Sequence, residues 1–410
     1  MLKNIIIIDN HSYPIGGTAQ VAYASALELS NRGYNVVYIA ADEKPNPILT
    51  TQGIDVRTIY NPSISQNPNK LQALINGLWD FRMERAIGKI LSEFENNNSI
   101  IHIHGYLPCF SPSILKACKQ SEIKTVLTLH DYFILCPGGA FYNFKTGKCC
   151  KIKPMSSKCK KCNCDKHNYF QKIWRMIRQQ SISKYATSNR DLDLIYISEF
   201  SYSKMKNFIS GNHNTFFLKN PYDIGDGKKY IAENAHNYVF LGRLSKGKGI
   251  DIFCEALSDL IKEGKIKGEA IVVGDGEERK KMEEQFPLIR FLGWKQHEEF
   301  GEIFESSRAL VFPSRWYEGA PLTPIEFMSH GIPCIISDSN AGKDYVRNKE
   351  DGLVFKSEDL EDLKSTIIKA ENDHYWGIIS KNLRECFKKE EYSVESHVDN
   401  LVRIYKEIKH

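Results

Sequence analysis

"ALVFPSRWYEGAPLTPIEFMSHGIPCIISD", residues 309–338, reads as strand, loop, helix and strand. ALVFPS is a continuous apolar run, the pattern of a strand covered on both faces. PCIISD repeats that pattern once Gly331 and Pro333 have ended a short helix. Strands alternating with helices in this way signal a parallel sheet covered by helices. Upstream the alternation continues through YVFLGR (238–243), AIVVGDG (270–276) and IRFLGW (289–294). The first half shows it independently. NIIIID (4–9), a helix from about Thr18 to Arg32 stopped by Gly33, and NVVYIA (35–40) form a βαβ unit, and IIHIHG (100–105), TVLTLH (125–130) and LIYISE (194–199) add strands. The fold class is therefore α/β, with two doubly wound Rossmann-like domains. Their boundary belongs near LKNPYD (218–223), where Asn-Pro favours a turn and the text after it is polar and glycine-bearing. The tail from about Tyr375 to His410 reads as helical.

Composition agrees with that size. The 410 residues suit two domains, and 42% hydrophobic residues supply two cores easily. MLKNIIIIDN is too short in apolar residues for a signal sequence, and no window approaches the roughly 18 to 20 apolar residues that span a bilayer. A soluble, cytoplasmic chain is expected. The net charge of +5 does not argue for nucleic acid, but its distribution is uneven. Lys151, Lys153, Lys158, Lys160, Lys161, Lys166, Lys172, Arg175 and Arg178 crowd one stretch, which reads either as a solvated insertion or as a face for phosphates or an anionic membrane.

Two carboxylates punctuate the opening stretch, Glu318 and Glu326. TPIE (323–326) reads as a helix start, with Thr323 as N-cap, Pro324 at the first helical position and Glu326 completing a capping box. That accounts for Glu326. It leaves Glu318 unexplained, along with the glycine and proline of EGAP. A chemical reading covers both glutamates. The strand ALVFPS delivers this loop to the carboxyl edge of a parallel sheet, where open α/β sheets bind ligands. The following helix N-terminus offers free N–H groups and a positive dipole to a phosphate. Carboxylates there repel phosphate but accept hydrogen bonds from hydroxyls. A sugar nucleotide, with hydroxyls on both sides of its phosphates, has the matching shape.

Glu318, seven residues, then Glu326 resembles the E-x7-E signature of family 4 (group 1) retaining glycosyltransferases of the GT-B fold, of the bacterial surface-polysaccharide type. The resemblance extends over EGAPLTPIEFMSHGIPCIISD, FLGRLSKGKGID (240–251), VVGDGEERKKME, FLGW, DGLVF, GGTAQVAYASALEL and ISEFS, in order along nearly the whole chain. It implies two Rossmann-like domains facing a cleft: an acceptor-binding domain at 1–220, with a Cys- and Lys-rich insertion at about 136–167, and a nucleotide-sugar-binding domain at 221–385. A helix at 386–410 is expected to cross back to the first domain. Arg243 and Lys248 would bind the donor diphosphate and stabilise the charge that develops as it leaves. Glu326 would accept from the ribose hydroxyls, and Glu318 would lie at the donor sugar. Backbone N–H groups of Leu322 and Thr323 would complete the phosphate cradle, and Trp294 and Lys295 would seat the base. In the first domain, Gly16 and Gly17 would face donor phosphate and acceptor, and His130 would stand beside the reacting sugar, with His104 as a weaker support. The donor would be a UDP- or GDP-sugar. The acceptor would be a saccharide hydroxyl, carried on a polyprenyl diphosphate at the inner face of the membrane. No cofactor is required for catalysis, since Arg243, Lys248 and a helix N-terminus are available; DLD (191–193) fits the D-x-D pattern only formally.

Six of the eleven cysteines fall in residues 136–164. Reduced thiols at this density favour metal ligation, and Cys159 and Cys162 have the C-x2-C spacing of a structural zinc knuckle. Cys136 and Cys149 are the expected other pair, with Cys150, Cys164 and His167 as competitors. Rival readings are a sugar-nucleotide epimerase of the same fold, which needs no acceptor, and a non-catalytic zinc-containing binding protein.

Overall fold

The computed structural model describes residues 2–63, 66–209, 213–222 and 229–409. The chain divides into two compact units. One comprises Met1–Lys145, Lys151–Pro221 and Glu391–His410; the other comprises Thr146–Cys150 and Tyr222–Glu390. Most of the polar segment just after the expected boundary, 223–228, lies outside the described residues.

The first unit holds seven parallel strands: Asn4–Ile8, Asn35–Ala40, Asp55–Thr58, Ser99–Ile103, Thr125–Leu129, Leu192–Tyr196 and Thr215–Phe217. Numbered in chain order, they lie 3-2-1-4-5-6-7 across the sheet. The first strand, Asn4–Ile8, pairs Ile6 with Val37 on one side and Ile101 on the other. Ile5 to Ile8 are wholly buried because helices cover both faces, which is why this text shows no polar alternation. The last helix, Val394–Lys409, belongs to this unit: Val398, Leu401 and Tyr405 enter one core with Ile5, Ala22 and Tyr38.

The second unit repeats the plan with six parallel strands: Asn237–Leu241, Ala270–Val273, Arg290–Gly293, Ser307–Phe312, Cys334–Ser337 and Leu353–Phe355. Their order is 3-2-1-4-5-6, the doubly wound arrangement whose ligand crevice lies at the carboxyl ends of the strands. Apolar cores lie on both faces of the sheet. Three strands of these two sheets escape the sequence reading: Asp55–Thr58, Thr215–Phe217 and Leu353–Phe355 are only three or four residues long and sit at sheet edges, too short to leave a distinct apolar run.

The helix after the strand Ser307–Phe312 starts earlier than expected. It spans Leu322–Ser329 with Pro321 as N-cap, and no side chain caps it. Thr323 is therefore inside the helix, and the capping box with Glu326 does not form. Pro324 sits at the third helical position at no cost, because first-turn amides have no intrahelical acceptor to lose.

Candidate active site

In the second unit, two loops meet at the carboxyl edge of the sheet. One follows the strand Asn237–Leu241 and carries Arg243 and Lys248; the other follows Ser307–Phe312 and carries Glu318. Their backbones interlock, with Arg315 N–H donating to the Gly247 carbonyl at 2.8 Å. The Arg315 guanidinium also forks onto Asp251, at 2.7 and 2.9 Å. Gly249 permits this approach. A Cβ there would lie 2.2 Å from the Pro313 carbonyl oxygen, and its φ of 75° is left-handed. The neighbouring GDG turn is seated likewise, since a Cβ at Gly274 would come 2.0 Å from the Gly242 oxygen. The glycines of these motifs are thus explained by backbone against backbone.

The clamp aligns Lys248 and Glu318. Lys248 Nζ donates to Glu318 Oε1 at 2.6 Å, and both side chains are mostly buried. The same oxygen accepts from Ser314 Oγ and Trp316 Nε1, each at 2.8 Å. Ser314 is itself fixed, its carbonyl accepting from Ser337 Oγ at 2.5 Å and Ser339 Oγ at 2.9 Å. Glu318 is held in one geometry by three donors. Beyond it the helix Leu322–Ser329 presents its first turn, with the amides of Leu322 and Thr323 uncapped by any side chain. Glu326 lies half-buried one turn further on. Arg243 is largely exposed and pairs with Glu277 at 3.0 Å. Trp294 is 69% exposed, and beside it Lys295 pairs with Glu299 at 2.7 Å.

The carboxyl edge of the first unit carries the other expected residues. Gly16 is the N-cap of the helix Gly17–Asn31. His130 follows the strand Thr125–Leu129 and meets His104, with His104 Nδ1 and His130 Nε2 3.2 Å apart. Behind them His102 touches Tyr405 OH at 2.6 Å and Thr128 Oγ1 at 2.7 Å. Burial pushes all three imidazoles below the ordinary histidine range, the two deepest, His102 and His104, furthest. They stay neutral at physiological pH, so His130 offers a hydrogen bond rather than a charge. Asp191 of DLD lies at the opposite, amino edge, lining a cavity of about 360 Å³ with Lys124 and Thr125.

With this geometry in view, two family descriptions match the chain. "Glycosyl transferases group 1" covers residues 226–393, and "Glycosyltransferase Family 4" covers residues 15–151. The chain belongs to the group 1, family 4 glycosyltransferases. It is similar to the Escherichia coli UDP-Gal:alpha-D-GlcNAc-diphosphoundecaprenol alpha-1,3-galactosyltransferase, at 28% identity over 44% of this chain and 49% of that relative. The match thus spans about half the relative's length. A 42.6 kDa protein of the Klebsiella pneumoniae cps region is 24% identical over 90% of this chain and 94% of its own. Among solved structures, Anabaena HepE in complex with UDP and glucose superposes with a TM-score of 0.66 at 15% identity, covering 99% of this chain and 100% of that one. The fold of this glycosyltransferase is GT-B, with two Rossmann-like parallel sheets.

The thiols of the glycosyltransferase do not form the expected quartet. Cys149 groups with the second unit, where its Sγ donates to the Arg315 carbonyl at 2.9 Å. Cys159, Cys162 and Cys164 stay in the first unit, and a buried cation already stands among them: Lys172 Nζ is 2.9 Å from Cys164 Sγ and 3.7 Å from Cys159 Sγ. Among the described residues, no group of three or more His, Cys, Asp or Glu side chains is arranged to hold a metal ion. The zinc expectation is corrected accordingly. Sequence reasoning also missed a cluster beside the glycine loop. Asp9 is fully buried with Oδ1 unpartnered among the described residues, and burial pushes its carboxyl up to about 7. Next to it His11 Nδ1 bonds Asp42 Oδ1 at 2.9 Å, and that pairing raises His11 to about 10. The available signal was position: Asp9 and Asp42 each stand just past a strand, at its carboxyl end.

Proposed function

We propose that this glycosyltransferase moves a sugar from a UDP- or GDP-sugar to a hydroxyl of a saccharide acceptor, with retention at the anomeric carbon. The acceptor is carried on a polyprenyl diphosphate, in surface-polysaccharide assembly at the inner face of the membrane. The observation that carries this reading is the Lys248–Glu318 pair, set beside an uncapped helix N-terminus at a sheet's carboxyl edge. Arg243 and Lys248 hold the diphosphate and neutralise the charge that grows on it as the glycosidic bond breaks. The Leu322 and Thr323 amides share that load at the positive end of their helix. Glu318 directs the donor sugar through its hydroxyls, Glu326 accepts from the ribose, and Trp294 and Lys295 seat the base. From the first unit, Gly16 and Gly17 serve the phosphate and acceptor, and neutral His130 hydrogen-bonds the reacting sugar. The E. coli relative, named for a diphosphoundecaprenol acceptor, supports the lipid-linked substrate. No helix among the described residues is long and apolar enough to cross a membrane.

A thermal-shift panel of UDP, GDP, ADP and NAD, with and without EDTA, tests the donor class. A nucleotide at a hundred times its Kd adds about 2.7 kcal/mol, a shift of several degrees. One nucleoside diphosphate is expected to stabilise wild type, to keep its effect under EDTA, and to lose it in Arg243→Ala. Stabilisation by none of them, or equally in that variant, overturns the assignment. Product NMR then reports whether the anomer is retained.

A further inference from the structure

The thiols of the first unit gather round one amine. Lys172, on the helix Tyr169–Ile182, is 1% exposed. Its Nζ donates to Cys164 Sγ at 2.9 Å and to Cys159 Sγ at 3.7 Å. A buried ammonium is costly unless acceptors meet it, and here sulfur supplies them. Cys164 keeps 8% of its surface exposed, and Cys162, two residues back, is half-buried. A three-residue turn joins the two, the Cys164 amide donating to the Cys162 carbonyl at 3.1 Å across exposed Asn163. A segment bent in this way keeps its end Cα atoms within the roughly 4.4–6.8 Å that a disulfide spans. The turn is anchored on the strand Tyr142–Asn143: Asn143 Nδ2 donates to Cys162 Sγ at 3.7 Å, and the next amide, Phe144 N–H, donates to the Cys164 carbonyl at 3.1 Å.

This arrangement supplies one sulfur to react and one to resolve. A thiol beside an ammonium and close to the surface is the kind that attacks a peroxide, and redox-sensing thiols stand next to a second thiol. We infer that Cys164 and Cys162 form a reversible two-electron oxidation site for hydroperoxides. The Cys164 sulfur bonds to one oxygen of the peroxide, the O–O bond breaks, and the other oxygen leaves as water or alcohol with the thiol proton. Lys172 stands where negative charge gathers on that sulfur. The Cys162 sulfur then displaces the sulfenic hydroxyl, so that an S–S bond forms and water leaves with the Cys162 proton. The two sulfurs lose two electrons and the peroxide gains them. Cys159, inside the helix Ser157–Lys161, is the rival resolving thiol, but it lies off the turn. Nothing in this chemistry depends on a sugar donor or acceptor, so it stands apart from the transfer reading.

The experiment treats the full chain with hydrogen peroxide, alkylates the remaining thiols and maps tryptic peptides by mass spectrometry. Lys161 and Lys166 bound the peptide CNCDK, residues 162–166, which carries both sulfurs and excludes Cys159. This peptide is expected to escape alkylation and to weigh two hydrogens less than its reduced form, and dithiothreitol should reverse both changes. Cys162→Ser should stop the reaction at a sulfenic acid on Cys164, trapped by dimedone. Cys164→Ser should abolish it, and Cys159→Ser should leave it as in wild type. Lys172→Gln should slow oxidation about tenfold or more. That variant loses a buried charge and can misfold, whereas the serine variants change one atom each and keep the test decisive. Oxidised wild type should melt a few degrees lower than reduced, because the disulfide draws Cys164 away from a buried ammonium. Full alkylation of peptide 162–166 after peroxide treatment overturns the inference. So does a cross-link to Cys159 in place of the internal one, or one equivalent of a metal ion held by these sulfurs in the purified protein.

Discussion

Glu318 occupies Lys248 when no donor is bound, so replacing it should tighten diphosphate binding while impairing transfer. At 2.6 Å the bare attraction of the pair is about 6 kcal/mol at an effective dielectric near 20. Dehydration of both groups offsets most of that, and charge-assisted hydrogen bonds retain about 1.5–3 kcal/mol. The side chains are 24% and 16% exposed, which places this pair at the low end, about 1.5 kcal/mol. Glu318→Gln keeps the shape and still accepts from Ser314 and Trp316, but frees the Lys248 charge for a phosphate. The Kd for the nucleoside diphosphate that binds wild type should fall about tenfold. Transfer should fall instead, because the donor sugar loses its carboxylate. Calorimetric titration of wild type, Glu318→Gln, Lys248→Met and the double variant forms a cycle whose coupling energy should be of that size. If Glu318→Gln binds no tighter, or tightens equally in the Lys248→Met background, then the pair does not compete with phosphate and the reasoning fails.

Arg243→Ala should cost about 10²–10³ in kcat, as for loss of one electrostatic stabiliser, while Tm stays within a degree or so because exposed pairs contribute little. Gly249→Ala should lower stability by about 2 kcal/mol or more, read as a urea midpoint shift, since the new Cβ meets the Pro313 carbonyl and φ is left-handed. Asp9→Asn should stabilise the protein near pH 8 and not near pH 3. The Asp9 carboxyl is raised to about 7 in the fold, so the folded state binds the extra proton between about pH 4 and 7, and wild-type stability falls as pH rises through that window. The ceiling on the gain is about 4 kcal/mol at pH 8. Equal Tm for both proteins at pH 8 would refute it.

What the sequence carried and what it hid separate along physical lines. Buried parallel strands leave an unmistakable trace, because every residue of a run such as Ile5 to Ile8 must be apolar when helices cover both faces. The edge strand Asp55–Thr58 leaves none, since one open side lets Arg57 and Thr58 stand in the ladder. Glu318 and Lys248 were singled out as binding residues, but their mutual bond joins positions 70 apart in sequence and depends on a clamp through Arg315 and Asp251 that no local pattern encodes. The thiol stretch shows the converse failure. Cysteine spacing predicts which sulfurs can reach one ion, yet cannot say that Lys172, eight residues beyond Cys164, folds its ammonium into their midst.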